Sequence, residues 1–302
     1  MRILSLVVLC TMACGRLGFE NRLETDGAID GVPDALQGDC WAVWKTGAPR
    51  FSTPVPVAEL ALPDKQGNPW LAPDGRTLYF DSGTGDTEIF RTTRAARDMP
   101  FGTPEQITEL TSAVEDTSFS MTADNTLAVI SSSRGGASGF DLFQTQRAGV
   151  GAVFDPVDAT PFGNVTSSEN EFDSFLTPDG LRLYYAQSAP TGQVIQTTSR
   201  QQRSDVFRLP QRLMGTGTFA VEADPKLDLH ELVLVFSANI PLQLFAAVRG
   251  VSDQDFGTPF ALTDLAGPGH DADPAFSPDG CELFWISDRG GDRDLYHANV
   301  IP

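Results

Sequence analysis

Carboxylates recur in this chain at fixed distances from a repeated turn. With Asp74, Asp124, Asp179, His230 and Asp279 taken as turn positions, Gln66, Asp116, Glu171, Glu222 and Asp271 stand eight residues earlier. Asn68, Ser118, Asp173, Asp224 and Asp273 stand six residues earlier. Carboxylates gathered in a concave site can hold a divalent cation through oxygen ligands or receive a basic group of a peptide. Two of them on opposite sides of a sugar could serve a glycosidase or lyase. Yet aspartates at strand starts commonly bond nearby loop amides. These acids also recur with the repeat, whereas catalytic pairs normally break one, so no catalytic residue is assigned.

Other chemistry is thin. His230, His270 and His297 show no zinc-site spacing. There is no Gly-x-Ser-x-Gly elbow and no glycine-rich phosphate loop before a helix. The formal charge of −19 excludes recognition of nucleic acid through its phosphates and argues against docking on anionic lipid by charge. A hydrophobic content of 41% is enough to build a core.

The elements that must carry these residues are short strands. The turn positions are separated by 50, 55, 51 and 49 residues. Pro-Asp-Gly, or a variant of it, sets each turn: proline fixes φ, aspartate bonds amides and glycine takes positive φ. An apolar β-prone run follows, such as Leu283 to Ile286, with the pattern of a strand buried on both faces. Next come a small polar loop and a third strand, which ends in Arg94, Arg147, Arg200 or Arg249 in four copies. The fourth copy is degenerate, with Leu229-His230-Glu231 in place of Pro-Asp-Gly.

A second marker runs out of phase with the first. It pairs Phe51 with Pro54, Phe101 with Pro104, Phe154 with Pro156, Phe207 with Pro210 and Phe256 with Pro259. Proline belongs on edge strands, so the marker reads as an outermost strand. A period near 50 residues with this strand content predicts an all-β β-propeller of five four-stranded blades. The first outer strand precedes every inner set, so Phe51 to Leu60 is expected to complete the last blade and close the ring.

The ends of the chain carry further signals. Arg2, the apolar run Ile3 to Leu9 and Ala13-Cys14-Gly15 predict a signal peptide over 1–14, with Cys14 resembling a lipobox cysteine. The alternative is an ordinary secretory cut that leaves a soluble protein. Residues 15–40, rich in Asp, Glu and Gly, read as a flexible acidic linker, and 41–302 as the propeller domain. Two cysteines remain. A Cys40–Cys281 disulfide would staple the ring across about 240 residues, and the alternative is two separate buried thiols.

The Pro-Asp-Gly turn, the aromatic strand after it and the Ser-x-Arg-Gly loop resemble the TolB-type, WD-repeat-like β-propellers of bacterial envelopes. The resemblance covers roughly 41–302. It implies a propeller, with six blades as the alternative, and an exported protein of the cell envelope, anchored by lipid at the outer membrane or else secreted or periplasmic. Familiar members carry six blades and an additional N-terminal domain, for which this chain has no room, so their translocation role is not carried over.

Three function classes stay open. The first is a monomeric, non-catalytic scaffold that binds a protein or peptide without a cofactor and meets the membrane only through its N-terminal lipid. The second is a calcium- or carbohydrate-binding module, and the third a glycoside hydrolase or lyase using carboxylates at the channel mouth. A hydrophobic groove would favour the first class, and exposed aromatics beside the acids the second or third. The acids expected to ring the mouth are Asp116, Glu171, Asp173, Glu222, Asp224, Asp271 and Asp273.

Overall fold

The computed structural model describes residues 40–135, 139–158, 162–216 and 219–301. The expected signal peptide, Cys14 and nearly all of the linker lie outside the described residues. No helix among the described residues is long and apolar enough to cross a membrane.

The repeat folds into five antiparallel sheets, numbered here as blades. Blade 1 comprises Gln66–Leu71, Thr77–Ser82, Glu88–Thr93 and Glu105–Gln106. Blade 2 comprises Asp116–Met121, Leu127–Ser132 and Asp141–Gln146. Its outer place is taken by an extended segment whose Asp155 and Asp158 amides bond the carbonyls of Gln146 and Gln144. Blade 3 comprises Glu171–Leu176, Arg182–Ala189, Gly192–Ser199 and Gln211–Arg212, and blade 4 Glu222–Leu227, Val233–Ala238, Gln243–Val248 and Phe260–Ala261. Blade 5 comprises Asp271–Phe276, Glu282–Ser287 and Asp294–Ile301, closed by Arg50–Phe51 and Val55–Pro56 from the chain's beginning. The single closing strand expected over Phe51 to Leu60 is therefore two short pairings followed by a 3-10 turn at Ala58–Leu60.

Hydrophobic clusters fill all the interfaces between neighbouring blades. Tyr79 of blade 1 stacks on Phe119 of blade 2, with ring centroids 4.3 Å apart. Equivalent clusters join blades 2 and 3, 3 and 4, and 4 and 5, and the ring closes where Leu71 and Phe80 share a cluster with Ala275 and Phe284. The second strands supply much of this core and are buried on both faces, as their apolar runs require.

Each turn is held by the same chemistry. Asp74, Asp124, Asp179 and Asp279 accept the amide two residues on, and the next residue is left-handed: Gly75 (φ 64°), Asn125 (59°), Gly180 (76°) and Gly280 (68°). The degenerate fourth copy keeps this geometry with other residues. Asp228, two positions earlier, accepts the amides of Leu232 and Val233, and Glu231 takes the positive φ of 58°. Asp228 is buried and also accepts the His230 amide, so Asp228→Ala leaves three amides without an acceptor. It should cost about 2 kcal/mol, read as a lower midpoint in urea unfolding. A loss below about 0.5 kcal/mol, the scatter of inert surface changes, would show that the turn holds itself.

The terminal arginines lock these turns to the outer strands. Arg94, Arg147, Arg200 and Arg249 each donate to the carbonyl of the left-handed turn residue and lie over Phe101, Phe154, Phe207 and Phe256, at 4.2–4.9 Å from the ring centroids. Blade 5 lacks the arginine, and a tryptophan replaces it. Trp44 Nε1 donates to the Gly280 carbonyl at 2.8 Å, and its ring packs edge-on against Phe51 at 5.4 Å. Trp44 belongs to the short helix Trp41–Lys45, which the sequence reading did not anticipate. A Cys40–Cys281 disulfide joins that helix to blade 5.

Candidate functional site

The inner strands line the central channel, and each carries a bulge at its start. Register shifts fall between Gly67 and Trp70, Thr117 and Phe119, Phe172 and Phe175, Ala223 and Lys226, and Ala272 and Ala275. At each bulge one residue is left-handed: Asn68 (φ 46°), Ser118 (50°), Asp173 (52°), Asp224 (54°) and Asp273 (53°). Asn and Asp tolerate this conformation best among residues with a Cβ. The backbone thus selects these side chains at the position six before the turn.

At the bulges of four blades an amide finds its acceptor on the preceding blade. Asp224 Oδ2 accepts the Asp273 amide, Asp273 Oδ2 the Asn68 amide and Asp81 Oδ2 the Ser118 amide, each at 3.1 Å, and Ser118 Oγ accepts the Ser174 amide at 2.9 Å. Asp81, from a second strand, also takes the Asn68 side-chain amide at 2.9 Å. No signal in the sequence marked it as part of this layer.

The expected acidic ring is therefore two groups with different surroundings. Asp116, Glu171, Glu222 and Asp271 are buried inside their blades and do not ring a mouth. Asp116 accepts the Ser112 amide and pairs with Arg134, while Asp271 accepts the Gly267 amide and the Trp285 indole and pairs with Arg289. Both arginines come from the Ser-x-Arg-Gly loops. Glu171 bonds Ser167 and Gln187, and Glu222 bonds Thr216 and Arg212. One more methylene in the side chain lets a glutamate reach the loop where no such arginine stands. Gln66 likewise accepts the Leu295 amide.

Asp173, Asp224 and Asp273 do converge. Each offers a carboxylate oxygen within 4.8 Å of the others, with exposures of 9%, 3% and 7%. Lys226 lies among them, 3% exposed, and its ammonium bonds the Ser174 carbonyl at 3.5 Å. Burial, reinforced by the neighbouring carboxylates, holds Asp173 and Asp273 well above the usual carboxylate range. Burial also lowers Lys226, opposed by the charges of Asp173, Asp224, Asp273 and Asp81.

This cluster makes stability depend on pH. In the unfolded chain these carboxyls ionise near pH 4, while in the fold Asp173 and Asp273 keep their protons to higher pH. The folded state then binds more protons across that interval, so their contribution falls as pH rises from about 4 through the folded pKa values. Asp173→Asn or Asp273→Asn should raise the unfolding midpoint at pH 7 more than at pH 4.5. Equal changes at both pH values would show that the carboxyls titrate normally.

At the turn-bearing end the channel changes character. It opens as a funnel walled by Trp70, Met121, Phe175, Leu227, Leu229 and Phe276, with Trp41 of the N-terminal helix at its edge and Lys226 contributing to its lining. Lys226 stands at the same strand position as Trp70 and Phe175, directly after the bulge and four residues before the turn.

Neither a protein-family model nor a curated protein matches this sequence. Solved structures do resemble the fold. TolB from Acinetobacter baumannii is 16% identical with a TM-score of 0.50 over 80% of this chain, which spans only 56% of that chain. A thermostable family-43 glycoside hydrolase is 13% identical at 0.57, covering 80% of this chain and 90% of its own. An α-L-arabinofuranosidase from Podospora anserina, solved with cellotriose, is 11% identical at 0.58, covering 84% and 97%. What is shared is the propeller. At these identities the likeness extends to the fold, which binding proteins and hydrolases both use.

Proposed function

We propose that this chain is an exported, non-catalytic binding propeller that receives a peptide segment of a partner protein in the apolar funnel. The funnel carries the reading: a concavity whose floor is the buried Trp70, Met121, Phe175 and Leu227 and whose rim holds Leu229, 48% exposed, is suited to an anchor residue of a partner. The formal charge of −19 favours a segment with basic residues beside that anchor. The Cys40–Cys281 bridge supports export, because such bonds persist in oxidising compartments. Lipidation of Cys14 at the cell envelope belongs to the same proposal.

Hydrolysis of a glycoside receives less support. Retaining and inverting enzymes hold their carboxyls roughly 5–5.5 Å or 6.5–9.5 Å apart around a sugar. Asp173, Asp224 and Asp273 instead crowd together, buried, with two of them occupied by neighbouring amides. A cation such as calcium is the second reading, favoured by the convergence of three carboxylate oxygens.

A selection of displayed peptides against the wild-type protein tests the first reading. Peptides with an apolar anchor should bind wild type and lose binding to Leu229→Asp, a change at an exposed position. Recovery of the same peptides by both proteins would overturn it. A rise in unfolding temperature with calcium, lost in Asp224→Asn, would establish the second reading.

A further inference from the structure

Among the described residues the funnel has an apolar wall and a single cationic group in its lining. Lys226 sits where the apolar layer of Trp70 and Phe175 gives way to the carboxyl layer, and its side chain belongs to both. An ammonium carries three hydrogens. One of them meets the Ser174 carbonyl at 3.5 Å, and among the described residues no carboxylate lies within 4.0 Å of Nζ. Two hydrogens of a buried cation are thus left for something that enters the channel, and an unmet buried donor is costly.

The groups around it decide what that is. Asp173, Asp224, Asp273 and Asp81 act on Lys226 from the carboxyl side, and Arg293 adds positive charge near Asp81 and Asp273. Asp173 and Asp273 retain protons above the usual range, which limits how much negative charge opposes an incoming anion. From the funnel side the neighbours are apolar apart from the hydroxyl of Ser277 and the carboxylate of Asp228, and the latter is committed to backbone amides. An incoming group therefore has to be apolar along its length and end in an acceptor.

We propose that the funnel recognises the free C-terminus of a partner chain ending in an apolar residue, with Lys226 receiving the terminal carboxylate. This deepens the peptide-binding reading and rests on it. The last side chain fills the space between Trp70, Met121, Phe175 and Phe276, while the carboxylate takes the two free ammonium hydrogens. An internal peptide segment would place only a neutral carbonyl there.

Fluorescence anisotropy on the mature protein tests this with labelled decapeptides that carry lysines upstream and end in Leu, Ile or Phe. Each peptide is made as the free acid and as the C-terminal amide. The acid should bind about tenfold more tightly, the scale of one charge-assisted hydrogen bond. That preference should survive in Lys226→Arg and disappear in Lys226→Met. Equal binding of acid and amide to wild type, which needs no variant to fold, would overturn the C-terminal assignment and leave peptide binding standing. Binding of none of the peptides, acid or amide, would overturn the C-terminal assignment as well, while the displayed-peptide selection decides the broader reading separately.

Discussion

Replacing Cys40 and Cys281 with serine, or reducing their bridge, should lower stability by about 5 kcal/mol, the chain-entropy figure for a loop of this length. The bond spans 241 residues, nearly the whole ring, so its loss frees most of the unfolded chain. The folded state loses definition at the same place. Blade 5 has no terminal arginine, and its turn carbonyl depends on the Trp44 indole, which reaches it from the helix that begins beside Cys40. Closure is otherwise carried by two-residue pairings at Arg50–Phe51 and Val55–Pro56. Urea unfolding of oxidised and reduced protein gives the measurement. A difference below about 1 kcal/mol, at the bottom of the range for native bridges, would mean that the tryptophan helix and closing strands hold the ring unaided.

Lys226→Met should cost about 2 kcal/mol at pH 7, the scale of a lost hydrogen bond to a charged group, because Nζ bonds the Ser174 carbonyl and only the longer-range attraction of the carboxyl cluster adds to it. Methionine fits the volume, so the loss would be electrostatic and not a packing defect. It leaves Asp173, Asp224 and Asp273 without the cation that opposes their mutual repulsion. Protonation relieves the same repulsion, so the cost should shrink as pH falls towards 5. Parallel unfolding curves for wild type and Lys226→Met between pH 5 and 7.5 would count against this account. Adding Asp173→Asn to Lys226→Met should recover part of the loss, since one carboxylate then leaves the cluster.

The comparison of the two acidic rows shows what pattern can and cannot reveal. Both recur with the repeat, and sequence spacing treats them alike. The row eight before the turn begins the inner strand within its blade, where Asp116 and Asp271 meet loop arginines. The row six before sits on a bulge that turns its side chains into the channel. A bulge changes the period of two by one residue, and that shift is invisible in the spacing. The burial of the cluster followed from the same cause. A lone lysine on a strand otherwise reads as a surface residue, so nothing in the spacing marks Lys226.

Blade count, strand order, turn positions and the displaced outer strand were all legible in the residues, because each rests on local chemistry. Proline, glycine and aspartate dictate turns within four residues, and apolar runs dictate which strands are buried. The described part of the chain departs from that reading where partners come from distant positions. Trp44 standing in for a missing arginine and Lys226 lying among carboxyls of four blades are of this kind. The funnel is the largest such case. Trp70, Phe175 and Phe276 each read as an ordinary strand residue, and only the closing of the ring, which brings residues roughly 100 to 200 positions apart to one axis, makes them a binding surface.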